Sequence, residues 1–292
     1  MIVQNNNINQ IKVHFIRTGS VLVDETLTGQ GDSRNPIAFT GLFRSSNHRV
    51  EVPVSCYLIE HPKGLVLIDT GMGKEAEGKV TPLPGLVRKN KVAIPNVKVG
   101  ELIDDQIKEL GFNVSDIDYV ILSHLDGDHA GGLQLLKEAK TMITSNEEYQ
   151  KANQKHSIRY NTALWQGTSL QPFYFKDTHI GPQKKSFDLF GDGTITLVHT
   201  PGHSVGLTSF IIKSLRNDDY ILLASDVGYY PGNWRELRLP GILSSKKQEK
   251  RSLQWVQNIE KDRHCLGVFA NHDPCVTCLL YTSPSPRDVE ES

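Results

Sequence analysis

Residues 124–129 read His-Leu-Asp-Gly-Asp-His and carry the strongest chemical signal of the sequence. It directly follows the apolar run at residues 118–122 (DYVIL), which predicts a buried strand. Imidazole and carboxylate groups together suit Zn, Fe, Mn or Co, whereas calcium sites use oxygen ligands alone. Such groups, crowded together, would repel one another without a cation. A solvated polar loop is the alternative, but the small residues Ala-Gly-Gly at 130–132 favour a helix packed closely against a metal site.

Further polar side chains stand where apolar runs end. His203 lies in the turn Thr-Pro-Gly-His, Asp226 ends the run YILLASD, and His272 closes the run GVFANH. Asp69 ends a similar run, LVLID. Because the active groups of α/β proteins collect at the C-terminal ends of strands, we expect these side chains to share one site. His199 competes with His203 as a ligand, but its position on a predicted strand favours a packing role.

The rest of the chain predicts strands and helices in alternation, with paired strands in each half. The predicted strands cover residues 11–18, 50–60, 65–68, 118–122, 194–198, 208–213, 220–224 and 266–270, and the predicted helices cover residues 101–110, 130–139, 146–156 and 244–260. Residues 19–49 and 71–100 are rich in turn-forming residues and predict long loops, which inside a domain are usually functional. The recurring strand ends form a weak internal repeat and indicate a two-sheet sandwich.

Composition narrows the function classes. The chain has 292 residues with 32 Lys and Arg against 33 Asp and Glu, so its formal charge of −1 provides no general field for nucleic acid or an anionic membrane. A hydrophobic share of 38% and a charged share of 22% are typical of a soluble globular protein. The sequence lacks both a membrane-spanning apolar run and a signal-peptide pattern. With a single CxxC, the four cysteines indicate reduced thiols in a cytoplasmic protein.

The last fifteen residues look foreign to the fold. Residues 278–288 (CLLYTSPSPRD) show no helical or strand periodicity, and they are similar to one reading frame of a transposase-type adapter used in shotgun sequencing libraries. We therefore expect residues 1–277 to form one domain and residues 278–292 to be a non-native tail, which would make the CxxC an artefact. A natural flexible tail is the alternative.

The order HxDxDH, TPGH, SD and NH resembles the metallo-β-lactamase superfamily, whose pattern is HxHxDH, His, Asp, His. The resemblance covers nearly all of residues 11–273 and includes the turn Asp-Thr-Gly that begins at Asp69. It implies an α/β fold, the αββα four-layer sandwich of metallo-β-lactamase-like proteins. Within the superfamily the chain is most similar to N-acyl homoserine lactonases, because Tyr229 follows Asp226 by three residues and residues 190–203 are similar to theirs.

The resemblance implies two divalent metal ions, with zinc as the first expectation. One ion would be held by His124, Asp126 and His203, the other by Asp128, His129 and His272, and Asp226 would bridge the two. Asp69 would orient a ligand histidine.

Asp126 departs from the family pattern, which has histidine at this place. A carboxylate is harder than an imidazole and favours Fe or Mn more strongly, so both stay candidates beside zinc. Its negative charge should also make a water between the metals less acidic.

The resemblance further implies the reaction. A hydroxide bridging the metals would attack a lactone or ester carbonyl of a small molecule, Tyr229 would donate to the oxyanion, and Asp128 would carry a proton to the leaving alkoxide. The alternatives are a phosphodiesterase or thioester hydrolase of the same fold, and a non-catalytic binding protein. Aromatic side chains at 39–43, 165, 173–175 and 234 would either line an acyl-chain pocket or pack within the loops.

Overall fold

The apolar runs of the sequence form two β-sheets that pack face to face. A computed structural model describes residues 11–77, 92–155 and 157–276, together with the backbone of residues 280–282. Residues 78–91 of the predicted loop, and residues 277–279 and 283–292 around the predicted tail, lie outside these ranges.

The first sheet contains eight strands within the described residues. They are β1 (Lys12–Asp24), β2 (Arg49–His61), β3 (Gly64–Ile68), β4 (Ile94–Asn96), β5 (Ile117–Leu122), β6 (Thr141–Ser145), β7 (Leu170–Phe173) and β14 (Leu280–Thr282). The order is β14-β1-β2-β3-β5-β6-β7, and β4 pairs with β1. β1, β2 and β3 are antiparallel neighbours, whereas β3, β5, β6 and β7 run parallel, so their C-terminal ends share one edge.

The second sheet contains six strands in the order β13-β12-β11-β10-β9-β8. They are β8 (Lys176–Asp177), β9 (Lys185–Asp188), β10 (Ile195–His199), β11 (Thr208–Lys213), β12 (Tyr220–Ser225) and β13 (Cys265–Ala270). Neighbours are antiparallel except β12 and β13, which run parallel. The parallel pair brings the ends of β12 and β13 to the same edge.

The helices lie on the outer faces and in the connections. They are α1 (Glu25–Thr28), α2 (Ile103–Glu109), α3 (Gly127–Ala130), α4 (Asn146–Ala152), α5 (Pro231–Arg235) and α6 (Lys246–Glu260). Within the described ranges, none of them is long and apolar enough to cross a bilayer.

Strand alternation produces the layers. On β3, Leu67 packs outward with Ile107 of α2, while its neighbour Ile68 joins the core between the sheets. On β12, Leu223 enters the same central core and Leu222 packs outward in the cluster that contains residues of α6. Because successive strand residues face opposite sides, each sheet buries both faces. The predicted αββα four-layer sandwich is therefore confirmed.

Three predicted segments differ from the structure. The loop expected at residues 71–100 contains β4, Ile94–Asn96, which pairs with Ser20–Leu22 of β1. Residues 19–49 were expected to form a loop, but β1 continues to Asp24. A bulge between Arg17 and Ser20 shifts the register, and β1 then pairs with β2 again from Ser20 onward. The helix predicted at 130–139 is wrong: α3 is a single turn followed by a 3₁₀ segment, Gly131–Leu135. The glycine at 131 allows this close packing, since a Cβ there would lie 2.6 Å from the backbone nitrogen of Gly73.

The expected absence of regular structure in the C-terminal segment is also wrong in part. Leu280–Thr282 forms β14, antiparallel to β1 at Lys12–His14. The outer edge of β1 offers unpaired backbone groups there, and Leu-Tyr-Thr is a strand-prone triplet. The non-native origin of residues 278–292 stays a prediction.

Candidate metal centre

The ends of four strands bring the expected ligands together at one edge of the sandwich. The loop after β5 and the segments after β10, β12 and β13 form three groups whose ligand atoms lie within 4.8 Å of one another. The groups are His124, Asp126 and His203; His124, His129 and Asp226; and Asp128, His129 and His272. All seven residues that the sequence singled out therefore lie in one cluster.

The first group surrounds one point. Asp126 Oδ2 is 3.0 Å from His203 Nε2 and 3.4 Å from His124 Nε2. Asp226 Oδ2 is 3.6 Å from the His203 nitrogen and 3.9 Å from the His124 nitrogen. Four ligands about 2.0–2.1 Å from a tetrahedral ion stand roughly 3.3 Å apart, so these spacings fit a single cation.

The second group has similar spacings. His272 Nε2 is 3.5 Å from Asp128 Oδ2 and 3.4 Å from Asp226 Oδ2. His129 Nε2 is 3.4 Å from Asp226 Oδ1 and 4.0 Å from Asp128 Oδ1. Asp226 Oδ2 thus faces histidines of both groups and its Oδ1 faces His129, so this one carboxylate lies beside both ligand groups.

Several buried atoms of this cluster have no hydrogen-bond partner among the described residues. They are His124 Nε2, His129 Nε2, His272 Nε2 and Asp226 Oδ1. An unpaired buried polar atom costs about 1–3 kcal/mol, and coordination of a cation removes that cost. Imidazole and carboxylate ligands suit divalent transition metals. The residues present therefore fit two divalent metal ions.

Neighbouring charges in the cluster shift the pKa values of its side chains. Burial alone would raise the pKa of Asp226, but the neighbouring His272 and His129 hold it well below its ordinary value. Burial would lower the pKa of His129, yet the carboxylates of Asp226, Asp69 and Asp128 raise it well above the ordinary value. The site therefore attracts positive charge.

Asp69 ties three segments to the cluster. Its Oδ1 accepts from the backbone N–H of Ser123 at 2.7 Å, and its Oδ2 accepts from the Ser123 hydroxyl and from Asn271 Nδ2, each at 2.8 Å. The same Oδ2 is 2.8 Å from His129 Nδ1, so the opposite nitrogen of that ring turns toward the metal ligands. Asp69 adopts φ of 60°, a left-handed conformation that these contacts stabilise.

Arg159 is a member of the site that the sequence did not single out. Its Nε donates to Asp126 Oδ1 at 2.7 Å and its Nη2 donates to Asp126 Oδ2 at 2.6 Å. Burial alone would raise the pKa of Asp126, but Arg159 and the histidines at 124 and 203 hold it well below its ordinary value. Asp126 is therefore an ionised carboxylate in a bidentate ion pair.

Glu148, on α4, is a second residue that sequence reasoning missed. Its side chain is fully buried, and its two oxygens accept the backbone N–H groups of Leu125 at 3.2 Å and Gly206 at 3.1 Å. One carboxylate thus joins the loop that carries His124 to the turn that carries His203.

A pocket of about 710 Å³, part of it open to solvent, leads to the cluster. Its lining combines aliphatic side chains, which include Val21, Val23, Leu27, Val52, Met72 and Ile242, with residues of the ligand groups. Tyr229 also lines the pocket, packs in one hydrophobic cluster with Val21 and Val52, and stacks on His272 with ring centroids 4.8 Å apart.

Most of the aromatic residues considered for this pocket do not line it. Trp165, Phe173 and Trp234 belong to three other hydrophobic clusters, whereas Phe39 packs against the cluster that contains the pocket residues Val21 and Val52. His199 stacks on Phe175 and its Nε2 is 3.0 Å from the carbonyl oxygen of Val205, in agreement with its expected packing role.

Comparisons with known proteins identify the family of the chain. Residues 49–261 match the family model of the metallo-beta-lactamase superfamily. N-acyl homoserine lactonase AttM of Agrobacterium fabrum is 33% identical over 77% of this chain and 83% of its own length. N-acyl homoserine lactonase of a Bacillus species is 28% identical over 87% of this chain and 96% of its own.

Solved structures share the fold. An N-acyl homoserine lactone hydrolase with N-hexanoyl-L-homoserine bound at its catalytic metal centre superimposes with a TM-score of 0.72 at 23% identity, covering 90% of this chain and 93% of that one. AidC, a dizinc quorum-quenching lactonase, has a TM-score of 0.61 at 16% identity, covering 94% and 92%. The chain belongs to the metallo-beta-lactamase superfamily, in which N-acyl homoserine lactonases are among its relatives.

Proposed function

We propose that this metal-dependent hydrolase opens the lactone ring of N-acyl homoserine lactones at a dinuclear metal centre. The observation that carries the proposal is the junction of an aliphatic pocket with the ligand cluster. An acyl chain lying along Val21, Val52 and Ile242 would bring the polar lactone head to Tyr229 and the ligand carboxylates. Relatives named as lactonases support the same substrate.

The proposed ligand sets follow the two groups of distances. His124, Asp126 and His203 would hold one ion, Asp128, His129 and His272 would hold the other, and Asp226 would serve both. We propose zinc, with iron or manganese as alternatives because of the carboxylate at 126. When bound, two such ions polarise the ester carbonyl and lower the pKa of a water molecule toward neutrality.

Protein side chains supply the remaining chemistry. Burial and the nearby Asp226 raise the pKa of Tyr229 well above its ordinary value, so the phenol stays protonated and is able to donate to an oxyanion. Asp128 lines the pocket and keeps 28% of its side chain exposed, which suits a group that passes a proton to the leaving alkoxide.

The setting of the enzyme is also part of the proposal. The near-neutral charge argues against nucleic acid as a substrate and favours a small molecule. Cys56, Cys265 and Cys275 are free thiols, which supports a cytoplasmic location.

Metal analysis combined with a substrate panel tests the proposal. We expect about two divalent ions per chain, hydrolysis of homoserine lactones, and loss of hydrolysis in chelated protein that returns when metal is restored. Each added acyl methylene should raise kcat/KM roughly fourfold until the pocket is filled, because burying one CH₂ contributes about 0.8 kcal/mol. Faster turnover of a thioester or a phosphodiester would replace the lactone assignment. Fewer than one ion per chain, without turnover of any substrate, would indicate a binding protein.

A further inference from the structure

Arg159 connects both sides of the first ligand group. Besides its two bonds to Asp126, its Nη1 donates to the carbonyl oxygen of His203 at 2.6 Å and lies 3.5 Å from Ser244 Oγ. The side chain is only 19% exposed, and its guanidinium carbon lies 5.4 Å from the centre of the Tyr160 ring. The guanidinium is therefore held in place by contacts on several sides.

This ion pair orients Asp126. Each carboxylate oxygen uses one lone pair for Arg159, at 2.7 Å for Oδ1 and 2.6 Å for Oδ2. Only Oδ2 also faces the histidine nitrogens, at 3.0 Å from His203 and 3.4 Å from His124. The bidentate geometry leaves the carboxylate little rotational freedom, so a single defined oxygen is presented to the ligand group.

The pair also changes the charge that Asp126 brings. A lone carboxylate would add one negative charge relative to the imidazole of the family pattern. The sequence-based expectation that a water between the metals is less acidic depends on this charge. Arg159 supplies one positive charge at hydrogen-bond distance. The two residues together have the formal charge of a neutral imidazole.

We infer that Arg159 is a positioning residue for the metal centre, and that Asp126 and Arg159 act as one unit in place of a neutral histidine ligand. The inference rests on the metal-binding part of the proposed function and not on the substrate. In the contrary arrangement, Arg159 would keep Asp126 away from the metal, and its removal would make metal binding tighter.

The primary test is the metal affinity of Arg159→Met, measured for Zn²⁺ and Co²⁺ by chelator competition. We expect one of two ions to bind 10–100-fold more weakly, because loss of a residue that orients a ligand has effects of this size. Cobalt absorption bands should report the altered coordination of that ion. Arg235→Met is the matched control, since Arg235 donates from Nε to both carboxylate oxygens of Glu260 and from Nη2 to Oε1, away from the site. Unchanged or tighter binding in Arg159→Met would overturn the inference.

Three further proteins keep the test decisive if Arg159→Met folds poorly. Arg159→Lys keeps the charge but loses the bidentate geometry, so we expect an affinity between those of wild type and Arg159→Met. Asp126→His leaves the guanidinium unpaired beside a cation, and we expect the double variant Asp126→His, Arg159→Met to recover at least tenfold in affinity over Asp126→His. Equal metal affinities of Asp126→His and the double variant would refute the inference that Asp126 and Arg159 act as one unit. A wild-type chain that binds two ions but hydrolyses no lactone would refute the substrate proposal and leave this inference intact.

Discussion

Substitution of Glu148 by glutamine tests the hydrogen bonds that connect the loop containing His124 to the turn containing His203. The fully buried carboxylate accepts one N–H from Leu125 and one from Gly206, residues that neighbour the metal ligands in sequence. Glutamine has nearly the same shape but offers one acceptor oxygen and one NH₂ group. In either orientation, the NH₂ would face a backbone N–H.

The structure sets the size of the effect. The variant loses one hydrogen bond to a charged group, which is worth about 1.5–3 kcal/mol, and leaves a buried N–H unpaired. At about 2–4 °C per kcal/mol for a chain of this size class, we expect the melting temperature to fall by roughly 3–12 °C. Because the ligand loops lose their common anchor, metal affinity should fall about 10–100-fold.

Urea unfolding and chelator competition measure the two effects on the same protein. Glu147→Gln is the control, because Glu147 precedes Glu148 on α4 and its Oε2 has no hydrogen-bond partner among the described residues. This control removes the same charge without disturbing either loop. A Glu148→Gln protein as stable as Glu147→Gln, with unaltered metal affinity, would refute the reasoning.

Four further predictions concern the site itself. Asp226→Ala should remove metal and activity together, since one carboxylate faces both ligand groups; activity retained in a metal-depleted variant would contradict the mechanism. Tyr229→Phe should lower kcat/KM about 10²–10³-fold with metal content unchanged, as for loss of an oxyanion donor, whereas an unchanged kcat/KM would assign Tyr229 to packing. Ile242→Trp should lower kcat/KM for long acyl chains and spare short ones, which a chain-length series would show. Chelation should destabilise the fold by about 4 kcal/mol for each ion lost, and so about 8 kcal/mol for two, relative to protein in metal at a thousand times Kd; a calorimetric scan with equal stabilities would exclude structural metal binding.

Much of the fold was predictable because the signals are local. Alternation of side chains along a strand determines which residues of β3 and β12 face each side of their sheet. His124 and Asp226 follow at the ends of apolar runs. Residue type and strand end are visible without knowledge of the tertiary structure. The cluster could therefore be anticipated as a set of residues, before any distance between them was known.

Other features depend on contacts that no local pattern encodes. Arg159 lies in an irregular stretch, 33 residues from its partner Asp126. The aliphatic pocket uses Val21 and Val23 beyond the β1 bulge, and the shift in register there decides which face of the strand these residues occupy. Aromatic residues were considered for the pocket because they lie in or near the long loops, but much of the lining comes from the strand segment that contains Val21 and Val23.

The contacts of Asp69 have a consequence for how the protein is made. Asn271, which binds this carboxylate, and His272 both follow β13, whereas Asp69 and His129 are synthesised far earlier. Asp128 and His129 are therefore synthesised well before His272, their partner in the second group. In the proposed ligand set, the second group is complete only after β13 has docked beside β12. The metal content of newly made protein is therefore expected to report whether this late strand has docked.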